Sequence, residues 1–267
     1  MTASYRSGQG FVAGSMIGAL GGPIGLGGAE LRLPVLVGLF KLPTLEAVIL
    51  NKAMSLVVVT SALAFRAGVI PFEQQLLHGE VTLNLLTGSL IGAWWAAGHA
   101  MTMSRVWLDR IIMVLLAGLG FLMLSEGWFD GHNTAAPLFE TLYLQWLFGL
   151  LAGFGIGIVA ALLGVAGGEL LIPTIVLPYG LDIKLAGSLS LTVSLPTMIV
   201  GFARYSQSDA FAILRHEQAL FRWMVASSIL GAALGGLLVG LMSTSLLMTL
   251  LGAILLISAI KTFKHKH

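Results

Sequence analysis

The stretch Gly25–Pro34 reads GLGGAELRLP, and the stretch Gly164–Pro173 reads GVAGGELLIP. In both, a glycine cluster leads to a glutamate, Glu30 or Glu169, and a proline follows that glutamate four residues later. Each copy lies inside strongly apolar sequence. A repeated glycine break, acid and proline at membrane depth is typical of interrupted helices that meet at the binding site of a secondary transporter. The repeat therefore predicts two discontinuous membrane helices, one in each half of the chain.

The composition indicates a protein that lies in a lipid bilayer. Of the 267 residues, 57% are hydrophobic and 10% are charged, whereas a soluble domain carries about 25% charged residues. The chain has no cysteine, which excludes disulfides and thiolate chemistry. Its net charge of +2 is too small to indicate nucleic-acid binding. No spacing of residues typical of a metal site or of an ATP-binding motif occurs, so neither a metal nor a cofactor is expected.

Several apolar segments reach the roughly 20 residues that a membrane-spanning helix needs. They are predicted at residues 45–65, 81–99, 106–125, 183–203, 219–241 and 245–260. The glycine breaks lie in two further apolar regions, residues 10–40 and 138–178. We expect an all-α polytopic membrane protein with two inverted repeats, each made of a glycine-broken helix hairpin and three full spans. The repeats are predicted at residues 1–126 and 140–267, joined by a periplasmic linker at residues 127–139.

The distribution of lysine and arginine predicts the orientation. If each broken region returns to the side on which it began, both termini lie in the cytoplasm with most basic residues, and the other side keeps mainly Arg66 and Lys184. If each region instead crosses fully, Arg204, Arg215 and Arg222 face outward, against the positive-inside rule. The hairpin interpretation is therefore favoured. It gives each half an odd number of crossings, which inverts the second half relative to the first.

The glycines of the two breaks are the first candidate binding residues. Gly27, Gly28, Gly167 and Gly168 would leave backbone N–H groups free beside the positive ends of helices, which suits an anion. Alternatively, these glycines only allow helices to pack closely. The alignment of two such breaks favours the anion site.

Glu30 and Glu169 are the acids within the breaks. An ionisable side chain inside a membrane costs at least ~2.5 kcal/mol and is therefore a candidate functional residue. The two carboxyl groups could cap the half-helices by accepting from free N–H groups, or they could carry a proton or act as a gate. Arg32 could neutralise Glu30 locally. The second copy has Leu171 in that place, so the symmetry is broken there.

Polar residues of the following spans complete the candidate binding site. Lys52, beside Asn51, either snorkels to the cytoplasmic interface or supplies positive charge to a cavity. Arg66 and Arg204 end corresponding spans, and each is either an interfacial anchor or a residue that attracts anions. The hydroxyl groups that could face the cavity belong to Ser55, Ser188 and Ser190.

The glycine-rich break followed by proline in each half, together with the tracts GSLSL at residues 187–191 and GFARY at residues 201–205, resembles the sulfite exporter (TauE/SafE) family of bacterial membrane permeases. The resemblance covers nearly the whole chain. It implies export of sulfite or of organosulfur and sulfonate anions across a bacterial inner membrane. The motif positions that carry over are Gly27, Gly28, Pro34, Gly167, Gly168 and Pro173. A glutamate in both breaks departs from many relatives and favours proton coupling or a substrate that is not a simple oxyanion.

Two classes of function remain open at this point. The leading one is a secondary transporter of small anions that works by alternating access around the two broken helices, with protons as the candidate coupling ion. The other is a membrane-embedded enzyme or accessory subunit that uses the paired glutamates as acid and base. The lack of metal ligands and cofactor motifs in the sequence argues against the second class. The oligomeric state is open, with a homodimer as one candidate.

Overall fold

The computed structural model describes residues 8, 10–17, 28–66, 77–128, 141–181, 183–237, 249 and 252–257. All regular structure within these residues is helical, as the sequence predicts. In chain order the elements are α1 (Ala29–Gly38), α2 (Thr44–Arg66), α3 (Gly79–Thr102), α4 (Arg105–Trp128), α5 (Leu142–Leu163), α6 (Gly168–Tyr179), α7 (Ile183–Tyr205), a 3-10 turn (Asp209–Ala212), α8 (Ile213–His216) and α9 (Gln218–Leu237). Residues 10–17 and 252–257 are also helical.

The long helices lie where the apolar segments predict them. Helices α2, α3, α4 and α7 each contain 23 or 24 residues, which makes them roughly 35 Å long. Within the described residues, α2, α5 and α7 are long and apolar enough to cross a membrane. Crossing by α3, α4 and α9, which the sequence also predicts, stays a prediction. Helix α6 has only 12 residues, so at roughly 18 Å it is too short to cross alone. Of the predicted linker at residues 127–139, the first two residues are helical at the end of α4, and residues 129–139 lie outside the described residues.

The glycine breaks end and start helices as predicted. Helix α5 ends at Leu163, and Gly164 follows in the left-handed conformation with φ 68°. Helix α6 begins at Gly168, after Gly167 with φ 76°. In the first half, Gly28 has φ 66° directly before α1. L-residues with a side chain rarely adopt this conformation, so the glycines at these positions set the helix boundaries.

Helices α3 and α5 pack with their backbones in close contact. A Cβ atom at Gly88 or Gly92 would collide with the backbone of α5 near Phe154, and one at Gly157 would collide with the carbonyl oxygen of Ser89. Small residues spaced four apart let membrane helices approach in this way. Residue numbers rise together along the two helices in these contacts, so α3 and α5 run in the same direction.

Helix α7 also runs parallel to α3. The Ser89 and Thr197 hydroxyl oxygens lie 2.7 Å apart, and further along a Cβ at Gly98 would lie 3.3 Å from Nε of Arg204. Helix α6 turns back instead. Near its end, the Tyr179 hydroxyl donates to the carbonyl oxygen of Gln145, close to the start of α5, at 3.0 Å. The chain from α5 through α6 therefore returns to the end of the bundle at which α5 begins.

Candidate functional site

One buried asparagine joins the two glycine breaks. The Asn51 Nδ2 group donates to the carbonyl oxygen of Ala29, the first residue of α1, at 3.0 Å. It also donates to the carbonyl oxygen of Leu163, the last residue of α5, at 2.9 Å. Both carbonyl oxygens therefore lie within hydrogen-bonding distance of one nitrogen. The two repeated motifs, 139 positions apart in the sequence (Gly25 to Gly164), meet at this side chain.

The glycine at the second break makes this meeting possible. A Cβ at Gly164 would lie 2.5 Å from the carbonyl oxygen of Val48 and 3.3 Å from Cβ of Asn51. The absence of a side chain therefore lets the end of α5 lie directly against α2. The same absence permits the φ of 68° that ends the helix. One glycine thus stops α5 and brings Asn51 to the last carbonyl group of that helix.

Side chains from α2 and α7 satisfy three of the last carbonyl groups of α5. The Lys52 Nζ donates to Ala160 at 3.0 Å, the Tyr205 hydroxyl donates to Ala161 at 3.2 Å, and Asn51 donates to Leu163. The last four carbonyl groups of a helix have no partner within the helix, and a cation is favourable at this negative end. The amino group of Lys52 is thus placed where it stabilises the end of the interrupted helix.

The burial of Lys52 excludes one of the two interpretations that the sequence allows, namely that it snorkels to the interface. Its side chain is fully buried, so it does not snorkel to an interface. Room for it comes from α7, because a Cβ at Gly201 would lie 3.1 Å from the Lys52 Nζ. Binding of a substrate by Lys52 stays a prediction.

The start of α1 holds two buried charged residues in a corner beside α2. Glu30 lies in the first turn of α1. The N-cap residue is Gly28, so no N-cap side chain accepts a hydrogen bond at this end of the helix. Arg32 is fully buried, and its Nη2 donates to the Ser55 Oγ at 3.1 Å. In the part of the chain that the structure describes, Oε1 of Glu30, Nε and Nη1 of Arg32 and Oδ1 of Asn51 are buried without a hydrogen-bond partner.

The hydroxyl groups of α7 are buried, but they are not equally available. Ser190 donates to the carbonyl oxygen of Gly187 at 2.9 Å, so its hydroxyl group can only accept a further hydrogen bond. Ser188 is buried as well. Ser194, one turn after Ser190, has a buried Oγ with no partner among the described residues. Its neighbours Leu191 and Met198 pack against Val59 of α2, so α7 presents this part of its length to the helix that carries Asn51.

Arg204 lies at the far end of α7 from the GSLSL tract. Its guanidinium group lies over the Trp94 ring, 4.7 Å from the centroid, and its Nη1 donates to the Gln207 Oε1 at 2.6 Å. These contacts suit the interfacial anchor better than a residue at the breaks. The side chains of Arg66 and Glu169, and all of Gly27, lie outside the described residues.

The surroundings of Gly28 favour close packing over the predicted anion site of backbone N–H groups. A Cβ there would lie 2.5 Å from the carbonyl oxygen of Ile17, so this glycine packs tightly against the preceding helical segment. Gly167 is less crowded, with Cγ2 of Ile156 as its nearest neighbour at 3.1 Å, and Gly168 is the first residue of α6. Close packing therefore explains Gly28 on its own. Anion binding at the glycines stays a prediction.

Several polar residues of this interior were not identified from the sequence. Tyr205 is the last residue of the tract GFARY, which gave the only signal for it. On α4, Asp109 is buried and accepts a hydrogen bond from the Thr44 hydroxyl at the start of α2. Asn84 of α3 donates to the Tyr179 hydroxyl at 3.3 Å. A single polar residue in an apolar span gives no clue to its partner, because that partner lies far away in the sequence.

The described residues contain no group of three or more His, Cys, Asp or Glu side chains that could hold a metal ion. No curated protein and no solved structure matches the chain. A family model does match: the model of the sulfite exporter TauE/SafE family covers residues 10–262. That span includes both glycine breaks, Asn51 and the tract that ends at Tyr205, which are the parts that meet in the fold. The chain belongs to the sulfite exporter TauE/SafE family and is a membrane protein.

Proposed function

We propose that the protein is a secondary transporter that exports small anions, namely sulfite or organosulfur and sulfonate anions, across a bacterial inner membrane. The family indicates a membrane transporter and so favours transport over a membrane-embedded enzyme. The observation that carries the proposal is the contact of Asn51 with Ala29 and Leu163. It brings two interrupted helices together, as in transporters whose substrate binds between broken helices near the bilayer midplane.

The directions of the helices support the re-entrant topology. Helices α3 and α7 are parallel, and between them the chain passes through α4 and then through the α5–α6 segment. If α4 crosses once and α5–α6 returns to its own side, α7 crosses in the direction of α3. If α5–α6 crossed fully, α7 would run antiparallel to α3. The proposed arrangement is therefore two inverted repeats, which alternate access by rocking against each other around the joined breaks.

Glu30 and Glu169 are proposed to couple transport to protons. Glu30 is buried in the first turn of α1, and the repeat places Glu169 at the second residue of α6. An ionised carboxylate repels an approaching anion, whereas a protonated one tolerates it. One proton could therefore bind with the substrate and be released when the site opens to the opposite side.

Reconstituted vesicles test this function. Purified protein in liposomes should move sulfite faster than protein-free liposomes do, and a pH gradient across the vesicle membrane should change the rate. The double variant Glu30→Gln/Glu169→Gln should still bind sulfite and lose the response to the gradient, because glutamine keeps the size but cannot ionise. Sulfite movement no faster than in empty liposomes contradicts the transport function. A double variant with native rate and native pH response contradicts only the coupling role.

A further inference from the structure

Arg32 is a buried cation whose hydrogen-bonding capacity is mostly unused. It is fully buried, and it is the largest of the fully buried side chains of the described residues. One of its terminal nitrogens donates to Ser55, while Nε and Nη1 have no partner there. A guanidinium group has five N–H donors in a fixed planar fork. Leaving such donors unpaired in an apolar interior is costly, so a ligand that accepts from them would relieve that cost.

Acceptors without partners lie in the same corner of the fold. Asn51 and Ser55 are four residues apart on α2, so their side chains are neighbours on one face of the helix. The Asn51 amide nitrogen donates to both breaks, which leaves its Oδ1 without a partner. Glu30 directly follows Ala29, the residue that Asn51 binds, and its Oε1 is also buried without a partner. Ser55, which holds one Arg32 nitrogen, and Asn51, which carries a free acceptor, therefore lie one helical turn apart on α2, and the charge of Glu30 acts on Arg32.

A purely structural role explains this arrangement less well. Glu30 acts on Arg32 electrostatically, but if Arg32 served only to neutralise that carboxylate, its free nitrogens would also donate to it. Instead Nε and Nη1 have no hydrogen-bond partner, Oε1 of Glu30 has none, and the one hydrogen bond found for Arg32 goes to Ser55. The second repeat has Leu171 at the matching position, so the packing of a broken helix does not by itself require an arginine there.

We propose that Arg32, held by Ser55, is the anchor for the transported anion, and that Oδ1 of Asn51 and Oε1 of Glu30 accept a hydrogen bond from the same molecule. The substrate is then a small monoanion that also carries an O–H group, such as a hydroxylated sulfonate, or sulfite in its protonated form. This inference rests on the proposed function and narrows its substrate class.

Two isosteric sulfonates test the inference in binding experiments. The probes are 2-hydroxyethanesulfonate and propane-1-sulfonate, which differ by a hydroxyl group in place of a methyl group. Affinities are measured for the purified full chain in detergent, from the rise in its melting temperature with probe concentration. The hydroxylated probe should bind roughly tenfold more tightly, because the methyl group leaves a buried acceptor unpaired.

Variants of Arg32 distinguish the contribution of the arginine to anion binding from that of the hydrogen-bond acceptors. Arg32→Gln should weaken both probes by at least about tenfold and preserve the ratio between them. Arg32→Lys keeps the charge but loses the planar fork, so it should bind both probes with intermediate affinity. The matched control is Arg110→Gln on α4, where the side chain is exposed and lies 5.6 Å from the centroid of the Trp107 ring. It should bind both probes as the native protein does.

The outcomes distinguish this inference from the proposed function. Equal native affinities for the two sulfonates, or no binding of either, overturn the inference, and so does an Arg32→Gln variant with native affinities. If Arg32→Gln does not fold, the inference is still tested by the ratio of the two sulfonate affinities in the native protein and by the affinities of Arg32→Lys. Sulfite transport by a protein that shows no hydroxyl preference leaves the proposed function standing and rejects the substrate class. A hydroxyl preference that depends on Arg32, without any anion transport, supports the site and rejects the transporter.

Discussion

Asn51 is the residue that contacts both breaks. Its amide nitrogen provides two hydrogens, and each binds the terminal carbonyl group of a different broken helix. Neither carbonyl group needs a water molecule, which suits a position inside an apolar protein. The sequence identified Asn51 as a candidate site residue from its place after the first break. It did not indicate that the side chain would reach the second break.

Replacement of Asn51 by leucine tests its role at the breaks. Asn51→Leu keeps the approximate volume but leaves the carbonyl group of Leu163, which has no partner within α5, buried and unpaired, and it removes the link to Ala29. We expect the free energy of unfolding to fall by about 2 kcal/mol and transport in liposomes to be lost. Denaturant titration in mixed micelles measures the first effect and anion flux measures the second.

Asn84 provides a matched control for that experiment. It is also a buried asparagine on a long helix, and it donates to the Tyr179 hydroxyl and to the Gln145 carbonyl oxygen, away from the breaks. Asn84→Leu should destabilise the protein by about 1 kcal/mol and keep its transport activity. If Asn51→Leu transports at the native rate, or if both variants lose transport alike, the breaks are not a site that Asn51 specifically organises.

At the scale of the elements, the interrupted helices have boundaries that the sequence predicts well. Glycine is needed where φ is positive, and a cluster of glycines in an apolar region therefore indicates that a helix stops there. The prolines of the motif do not end the helices, since Pro34 lies inside α1 and Pro173 lies inside α6. The unequal lengths of α5 and α6 follow from the glycine positions too, because the second break lies far from the start of the apolar region.

Two glycines of one break should respond differently to the same substitution. Gly164→Ala and Gly167→Ala both place a side chain at positive φ, which costs roughly 1–2 kcal/mol. At Gly164 the new Cβ would also lie 2.5 Å from the backbone oxygen of Val48, whereas at Gly167 it would lie 3.1 Å from Cγ2 of the Ile156 side chain. We therefore expect Gly164→Ala to lower the melting temperature by clearly more than Gly167→Ala. Equal melting temperatures would show that α2 does not pack against the break as described.

At the scale of the whole molecule, the topology can be tested because the chain has no native cysteine. In the proposed orientation Gln207, exposed after the end of α7, faces the cytoplasm and the linker faces the periplasm. An impermeant thiol reagent on intact cells should therefore label Asn133→Cys and not Gln207→Cys. Permeabilised cells should give labelling of both, which confirms that each site can react. Labelling of position 207 alone in intact cells would reverse the orientation.

The sequence alone determined the class of the molecule and its elements. Apolar composition requires a lipid environment because too few polar groups exist to cover the surface in water. Segment length predicts the spans, and glycine clusters predict the breaks, because both effects are local to the backbone. The family resemblance was also readable, since it rests on the same local motifs, and the family match confirms it.

Only the tertiary structure decided which of these residues meet. The glycines alone could serve an anion or close packing, and at Gly28 the neighbouring Ile17 shows close packing. Lys52 could have reached an interface, but α5 and Gly201 of α7 enclose it. From the sequence Arg32 was only a counter-charge to Glu30, and the fold places it beside Ser55 with unused donors. The physical reason is that polar side chains in an apolar protein must find partners inside it, and helix packing alone determines which partners are within reach.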